Sequence, residues 1–260
     1  MYAKHWRKWL MGSKENIRIL REMTLTTPDI TQLVGELSEI NRDLDRTFPQ
    51  DVKIFDSKAK KRIRNVLLWF SWSNPGLSYC QSYSFIAFVL YYVFNTDDAK
   101  HSMIDTYYSL YRLLLCVRPA LPKSSVDPEP LQFYKHLENH LLVLLIHEDR
   151  ELYTSVKDTM ILQHILLRGF STYCLNWFML EDCVRLMNFV VDSKVERIFQ
   201  KLMIFLVSFL VVNRGYFIHF SEMTCLEFIA EKHLFCFDQI YWKAVLINQR
   251  NSMGTSFAIA

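Results

Sequence analysis

The sequence predicts one all-helical domain, on three observations. Only 6 glycines and 7 prolines occur in 260 residues, too few for an architecture built on hairpins or glycine-rich phosphate loops. Hydrophobic residues make up 51% and aromatics 15% of the chain, the composition of a folded protein with a substantial core. Finally, apolar residues recur at helical spacing, and no repeat, low-complexity tract or Gly/Ser linker divides the chain. The domain is drawn over 1–250, with 251–260 expected to be a flexible tail.

The helices are expected in this order. A short one around Lys4 to Met11 ends at Gly12-Ser13, and Lys14 to Met23 forms the next. Asp29 to Ile40 places Ile30, Leu33, Val34 and Leu37 on one face. Phe55 to Phe70 carries Ile63, Val66, Leu67 and Phe70 on one stripe, with basic residues opposite, and Asn74-Pro75-Gly76 ends it as a turn. A helix from Gln81 through Phe94 is apolar nearly all round, which assigns it to the centre of the domain. Further helices are expected at Ser102 to Val117, Pro130 to His147, Asp158 to Leu167, Thr172 to Phe189, Lys194 to Val212 and Cys225 to Ile229.

Charge and cysteine usage narrow the function classes. Thirty Lys plus Arg against 27 Asp plus Glu gives no general attraction to nucleic acid. A local excess stands at Lys53, Lys58, Lys60, Lys61, Arg62 and Arg64. It reads either as a solvated helix face or as a patch for an acidic partner or anionic lipid. The six cysteines lie mostly in apolar sequence without a C-x-x-C, as buried thiols in a reducing compartment do. Met1 to Lys8 lacks the apolar core of a signal peptide. The apolar run Leu202 to Val212 reaches about 16 Å, roughly half of a hydrocarbon core. A cytoplasmic protein is expected. His136 and His140 have the i, i+4 spacing of a zinc pair but read as ordinary helix histidines, so no metal site is assigned. No G-x-x-x-x-G-K-[ST] is present, so the chain is not itself a P-loop GTPase.

Two segments carry the chemistry. Ile40-Asn41-Arg42-Asp43-Leu44-Asp45-Arg46-Thr47-Phe48-Pro49 is a helix end with Asp43 and Arg46 three apart, close enough to pair. Asn74-Pro75-Gly76-Leu77-Ser78-Tyr79-Cys80-Gln81 is a loop that delivers an uncharged glutamine to the start of the most apolar helix. Taken alone, the first could be a surface ion pair and the second a helix cap.

Together they resemble the paired signatures of TBC-domain Rab GTPase-activating proteins, I-x-x-D-x-x-R-T-F-P followed by N-P-x-x-x-Y-x-Q. Arg46 and Gln81 stand 35 positions apart, a separation typical of that family. Trp6 to Gly12 looks like its opening tryptophan motif, and Glu148 to Val156 and Trp177 to Leu202 look like its later helices.

The resemblance implies an all-helical TBC fold whose partner is a Rab-family small GTPase, which carries its own GTP and Mg2+. The chain would have no cofactor of its own and would meet membranes only through that GTPase. Arg46 would be an arginine finger and Gln81 a glutamine finger, with Asp43 holding the Arg46 rotamer and Tyr79 and Ile40 supporting. Vesicle traffic would be the process regulated. The sequence departs from the family at Ser78, Ser82 and Tyr83, where glycine, glycine and methionine are usual, and at Tyr2 and Phe199-Gln200. If either serine had to adopt positive φ, the glutamine would be misplaced. The alternatives are then a TBC-like module that binds a small GTPase or another partner without accelerating hydrolysis, and a helical scaffold.

Overall fold

A computed structural model describes residues 2–22, 33–48, 54–75, 79–117, 129–192, 194–231 and 235–253. Among them no strand occurs. The helices are α1 (Tyr2–Trp6), continued by a π-helical turn over Arg7–Met11, then α2 (Lys14–Glu22), α3 (Val34–Arg46), α4 (Ser57–Ser73), α5 (Ser82–Asp97) and α6 (Ser102–Val117). The second half holds α7 (Glu129–Glu148), α8 (Arg150–Val156), α9 (Ile161–Ile165), α10 (Leu180–Val190), α11 (Val195–Val212), α12 (Arg214–His219), α13 (Glu222–Ala230) and α14 (Phe237–Met253).

Helix α5 is central because it has almost no polar face to offer solvent. From Ser82 to Leu90 every residue is buried, and α5 packs against α4 and α6 and also touches α1, α3 and α10. Its counterpart in the second half is α11, where Leu202 to Leu210 are buried and whose principal neighbour is α14. Helix α4 starts where Asp56 accepts a hydrogen bond from the Ala59 N–H at 2.7 Å, a side-chain cap that sequence position alone supports. No helix among the described residues is long and apolar enough to cross a membrane.

Several boundaries differ from the sequence reading. Helix α3 ends at Arg46, within the segment read as a helix end before Phe48-Pro49. The expected start of this helix, from Asp29 to Gln32, lies outside the described residues. The single helix expected over Thr172 to Phe189 is broken. Tyr173 and Cys174 take positive φ of 55° and 59°, and a 3₁₀ turn at Leu175–Trp177 precedes α10. The α9 helix continues as a π-helical turn through Phe170. Helix α14 extends to Met253, three residues into the expected tail, and 254–260 lie outside the described residues. Of the cysteines, 116, 174, 183 and 225 are buried and Cys80 is half-buried, but Cys236 is exposed, contrary to the expectation for it.

Gly169 explains how the broken segment packs. A Cβ there would stand 2.8 Å from Trp177 Cη2, 2.9 Å from Leu206 Cδ2 and 3.2 Å from Cys174 Sγ. All three neighbours are fully or almost fully buried, so none can swing away. Gly169→Ala is expected to destabilise the fold by about 1–3 kcal/mol through overpacking, measured as a lowered midpoint of urea unfolding. An unchanged midpoint would show that the α11 contact yields.

Candidate functional site

The two signature segments meet at the end of α3 and the start of α5. Asp43 is buried at 4% exposure, one turn before the end of α3, and its carboxylate is shared. Oδ1 pairs with Arg46 Nη2, while Oδ2 accepts a hydrogen bond from the Tyr79 hydroxyl at 2.9 Å. Burial, and next the Asp43 charge, push the Tyr79 phenol well above its usual range. It therefore stays protonated and remains a donor at any working pH. The carboxylate thus has a partner on each oxygen, as a buried charge requires. Arg46 itself has a side chain 59% exposed. A mostly solvent-facing guanidinium is tied at one nitrogen to a buried, doubly bonded anion, which limits its rotamers without hiding its charge. Ile40, fully buried, seats this end of α3 in the core.

Phe48, the second residue after α3, has φ of 49°, an uncommon backbone state for an aromatic residue. Its ring is held by Phe55, Phe85 and Phe88, with centroids 5.7–6.3 Å away. The core thus fixes the turn by which the chain leaves Arg46. Gln81 sits just before α5 and is exposed. Its φ and ψ of −51° and −34° are helical, and Ser82 is the first residue of α5. Positive φ among non-glycine described residues occurs only at Phe48, Tyr173 and Cys174, so the strain foreseen for Ser82 is absent.

The other departures have accounts of their own. The Ser82 hydroxyl is turned inward, 3.3 Å from Cys80 Sγ, and the Tyr83 ring is buried edge-on against Phe70 and Tyr79. Neither stands on the solvent side with Gln81. Ser78 lies outside the described residues. Tyr2 stacks on Trp6, and Phe199 fills an aromatic cluster with Phe133 and Phe170.

Beside the site, α3 and α4 form an open cleft of about 490 Å3 lined by Asn41, Asp45, Ser57, Lys60, Lys61 and Arg64. Lys60 is neutralised by Asp45 at 2.9 Å, and Arg62 turns toward Tyr91 and Asn95. The basic segment is therefore split between internal partners and a solvated face. Among the described residues no group of three or more His, Cys, Asp or Glu could hold a metal ion.

The family model of the Rab-GTPase-TBC domain matches residues 9–215. The chain belongs to the TBC family. Human growth hormone-regulated TBC protein 1 is 36% identical over 69 residues, covering 25% of this chain and 20% of that protein. The GTPase-activating protein GYP3 of Saccharomyces cerevisiae is 36% identical over 81 residues, covering 28% and 13%. Human TBC1 domain family member 2A is 32% identical over 103 residues, covering 36% and 10%. The matched stretches thus span a fifth or less of these relatives. The crystal structure of the Ypt/Rab-GAP domain of Gyp1p superposes with a TM-score of 0.73 at 12% identity, covering 96% of this chain and 88% of that one. This TBC chain therefore has the all-helical fold that its sequence predicts.

Sequence reasoning missed two members of the site. Thr47 stands in the signature but carried no role, and Ser84 was not singled out. Both are fully or nearly fully buried, and they touch each other. The available signal was a hydroxyl placed inside a helix that is otherwise apolar all round.

Proposed function

We propose that this TBC domain accelerates GTP hydrolysis by a Rab-family small GTPase, inserting Arg46 and Gln81 beside the bound nucleotide. The observation that carries the reading is the exposed Arg46 guanidinium held by a buried Asp43 carboxylate whose other oxygen is engaged by Tyr79. Phosphoryl transfer asks for little covalent chemistry. It needs an attacking water in line and compensation for charge spread over the phosphate oxygens. Arg46 supplies a permanently charged, planar set of donors for those oxygens. Gln81 offers one acceptor and two donors, enough to orient a water without titrating. Asp43 restricts the Arg46 rotamer, and part of the entropy cost of ordering the finger is met before the partner arrives.

GTP and Mg2+ come with the GTPase, and this chain contributes side chains alone. Membrane contact follows through the bound GTPase, in the cytoplasm, and the regulated process is vesicle traffic.

Single-turnover GTP hydrolysis by a panel of purified Rab proteins tests the reading. Wild-type protein is expected to accelerate at least one of them, and Gln81→Ala to lose about 10²- to 10³-fold, as removal of one preorganised transition-state donor does. Because Gln81 is exposed and caps nothing, its unfolding transition should not move. Binding without acceleration by the wild-type protein would make this a binding module and sink the activator reading.

A further inference from the structure

The two finger-bearing segments are joined by a second polar link besides Tyr79–Asp43. Thr47, immediately after Arg46, has its hydroxyl 2.6 Å from the Asp43 carbonyl and 3.0 Å from the Ser84 hydroxyl. Ser84 Oγ in turn lies 2.7 Å from the carbonyl oxygen of Gln81. Thr47 is 1% exposed and Ser84 fully buried, so water does not compete for these groups. The result is an unbroken path from the last turn of α3, through two side chains, to the backbone of the residue that carries the glutamine.

The proton count makes this link specific. Thr47 and Ser84 bring two hydroxyl protons to three oxygen–oxygen contacts, and Ser84 also faces the Tyr79 hydroxyl. If Thr47 donates to the Asp43 carbonyl, Ser84 is left to donate either to Gln81 or to Thr47. If Thr47 donates to Ser84, Ser84 donates to Gln81. The arrangement that closes the bridge and holds the Gln81 carbonyl at once is Thr47 donating to Ser84 and Ser84 donating to Gln81, with the Asp43 carbonyl keeping the Thr47 backbone N–H at 3.0 Å. The contact joins the residue that caps the end of α3 to the first turn of α5. A hydrogen bond between short, buried side chains fixes distance and direction together.

We propose that Thr47 and Ser84 are positioning residues that set Gln81 in register with Arg46, so that the two fingers are presented to the partner as one unit. The inference rests on the finger reading above and adds to it the device that couples the fingers. It requires that the pair act on the chemical step and leave partner recognition alone, because neither side chain reaches the surface.

Multiple-concentration single-turnover kinetics on the Rab protein that responds best to the wild type provide the test. Ser84→Ala is the first variant, since alanine is the best helix former and the site is inside a helix. Thr47→Val keeps the shape of the side chain and removes its hydroxyl, and Thr47→Ser restores the hydroxyl. Ser84→Ala and Thr47→Val are expected to lower kcat about 10- to 100-fold, the scale of a misplacement near 1 Å. KM should stay within about 3-fold, and Thr47→Ser should recover most of the rate. Thermal unfolding of each variant separates positioning from simple instability, because activity lost to a lowered folded fraction recovers well below the unfolding midpoint, whereas a positioning defect persists there. Wild-type kcat in both Ser84→Ala and Thr47→Val, with Gln81→Ala still impaired, overturns the coupling and leaves the fingers standing. Full activity in Gln81→Ala overturns both. A rise in KM at constant kcat also overturns the inference, since it would place the pair in binding.

Discussion

Arg46→Ala is expected to reduce stimulated GTP hydrolysis by about 10³- to 10⁵-fold, equivalent to roughly 4–7 kcal/mol of barrier, while leaving the domain folded. The size follows from what the guanidinium does and from how little else depends on it. Its side chain is 59% exposed and pairs with the Asp43 carboxylate, so truncation opens no cavity in the core. The Asp43 end of the pair is buried, so loss of Arg46 leaves its carboxylate one partner short, at a cost of about 1–3 kcal/mol. Asp43 keeps the Tyr79 hydrogen bond. The catalytic loss should therefore exceed the stability loss, and that contrast is the signature of a finger as opposed to a strut. Arg46→Lys is expected to recover little, because an ammonium supplies a point charge without the planar set of donors. Initial rates of phosphate release over a range of domain concentrations would measure the effect. Comparable rates for Arg46→Ala and wild type would remove Arg46 from the chemistry.

The parts of this site that could be read from sequence were those in which one residue type does one job in a fixed local pattern. Asp43 and Arg46 lie three apart on a helix, so their pairing follows from backbone geometry alone. The centrality of α5 was equally legible, because a helix without a polar face has nowhere else to go. What stayed hidden depends on contacts distant in sequence. The Tyr79 bond to Asp43 spans 36 positions and the Thr47–Ser84 bridge spans 37, and no local pattern marks either. The burial of Asp43 was hidden for the same reason, because an aspartate looks like a solvent-facing residue until its partners are known.

Short elements failed differently. Helix α12 is only six residues long, less than the windows in which a helical period can be recognised, and α8, seven residues long, was marked by the family resemblance alone. Helix α14 does bury Phe237, Ile240, Ala244 and Ile247 on one side. Its exposed Trp242 and Leu246 blur the stripe. The break at Tyr173 and Cys174 comes from the packing of Gly169 against Trp177 and Leu206, which outweighs the local preference of that segment to continue as a helix.

The largest expected loss of stability lies away from the fingers, at Asp105, which is fully buried. Its carboxylate accepts from Arg7 Nε at 2.6 Å and from Arg21 Nε and Nη2 at 2.9 and 2.5 Å. It thereby ties the N-terminal segments to α6. Arg7 is itself 8% exposed, and it also bonds Asp97 at 2.5 Å and lies over the Phe94 ring. One of its nitrogens, Nη2, is buried without a partner among the described residues, so the guanidinium has few acceptors to spare there.

Asp105→Asn keeps the shape of the side chain but removes the charge and turns one acceptor into a donor facing donors. Breaking a buried charge network from one side typically costs about 3–5 kcal/mol, because the remaining cation is left uncompensated. At roughly 2–4 °C per kcal/mol for a chain of this size, the unfolding midpoint should fall by about 6–20 °C. Asp97→Asn is the control. It removes another carboxylate from the same arginine, but the Asp97 side chain is 43% exposed and water can replace it, so its cost should stay near 1 kcal/mol or below. Equal midpoints for the two variants would mean that Arg7 finds other compensation when Asp105 is neutralised, and the cluster would then be a passive contact instead of the attachment point of the N-terminal helices.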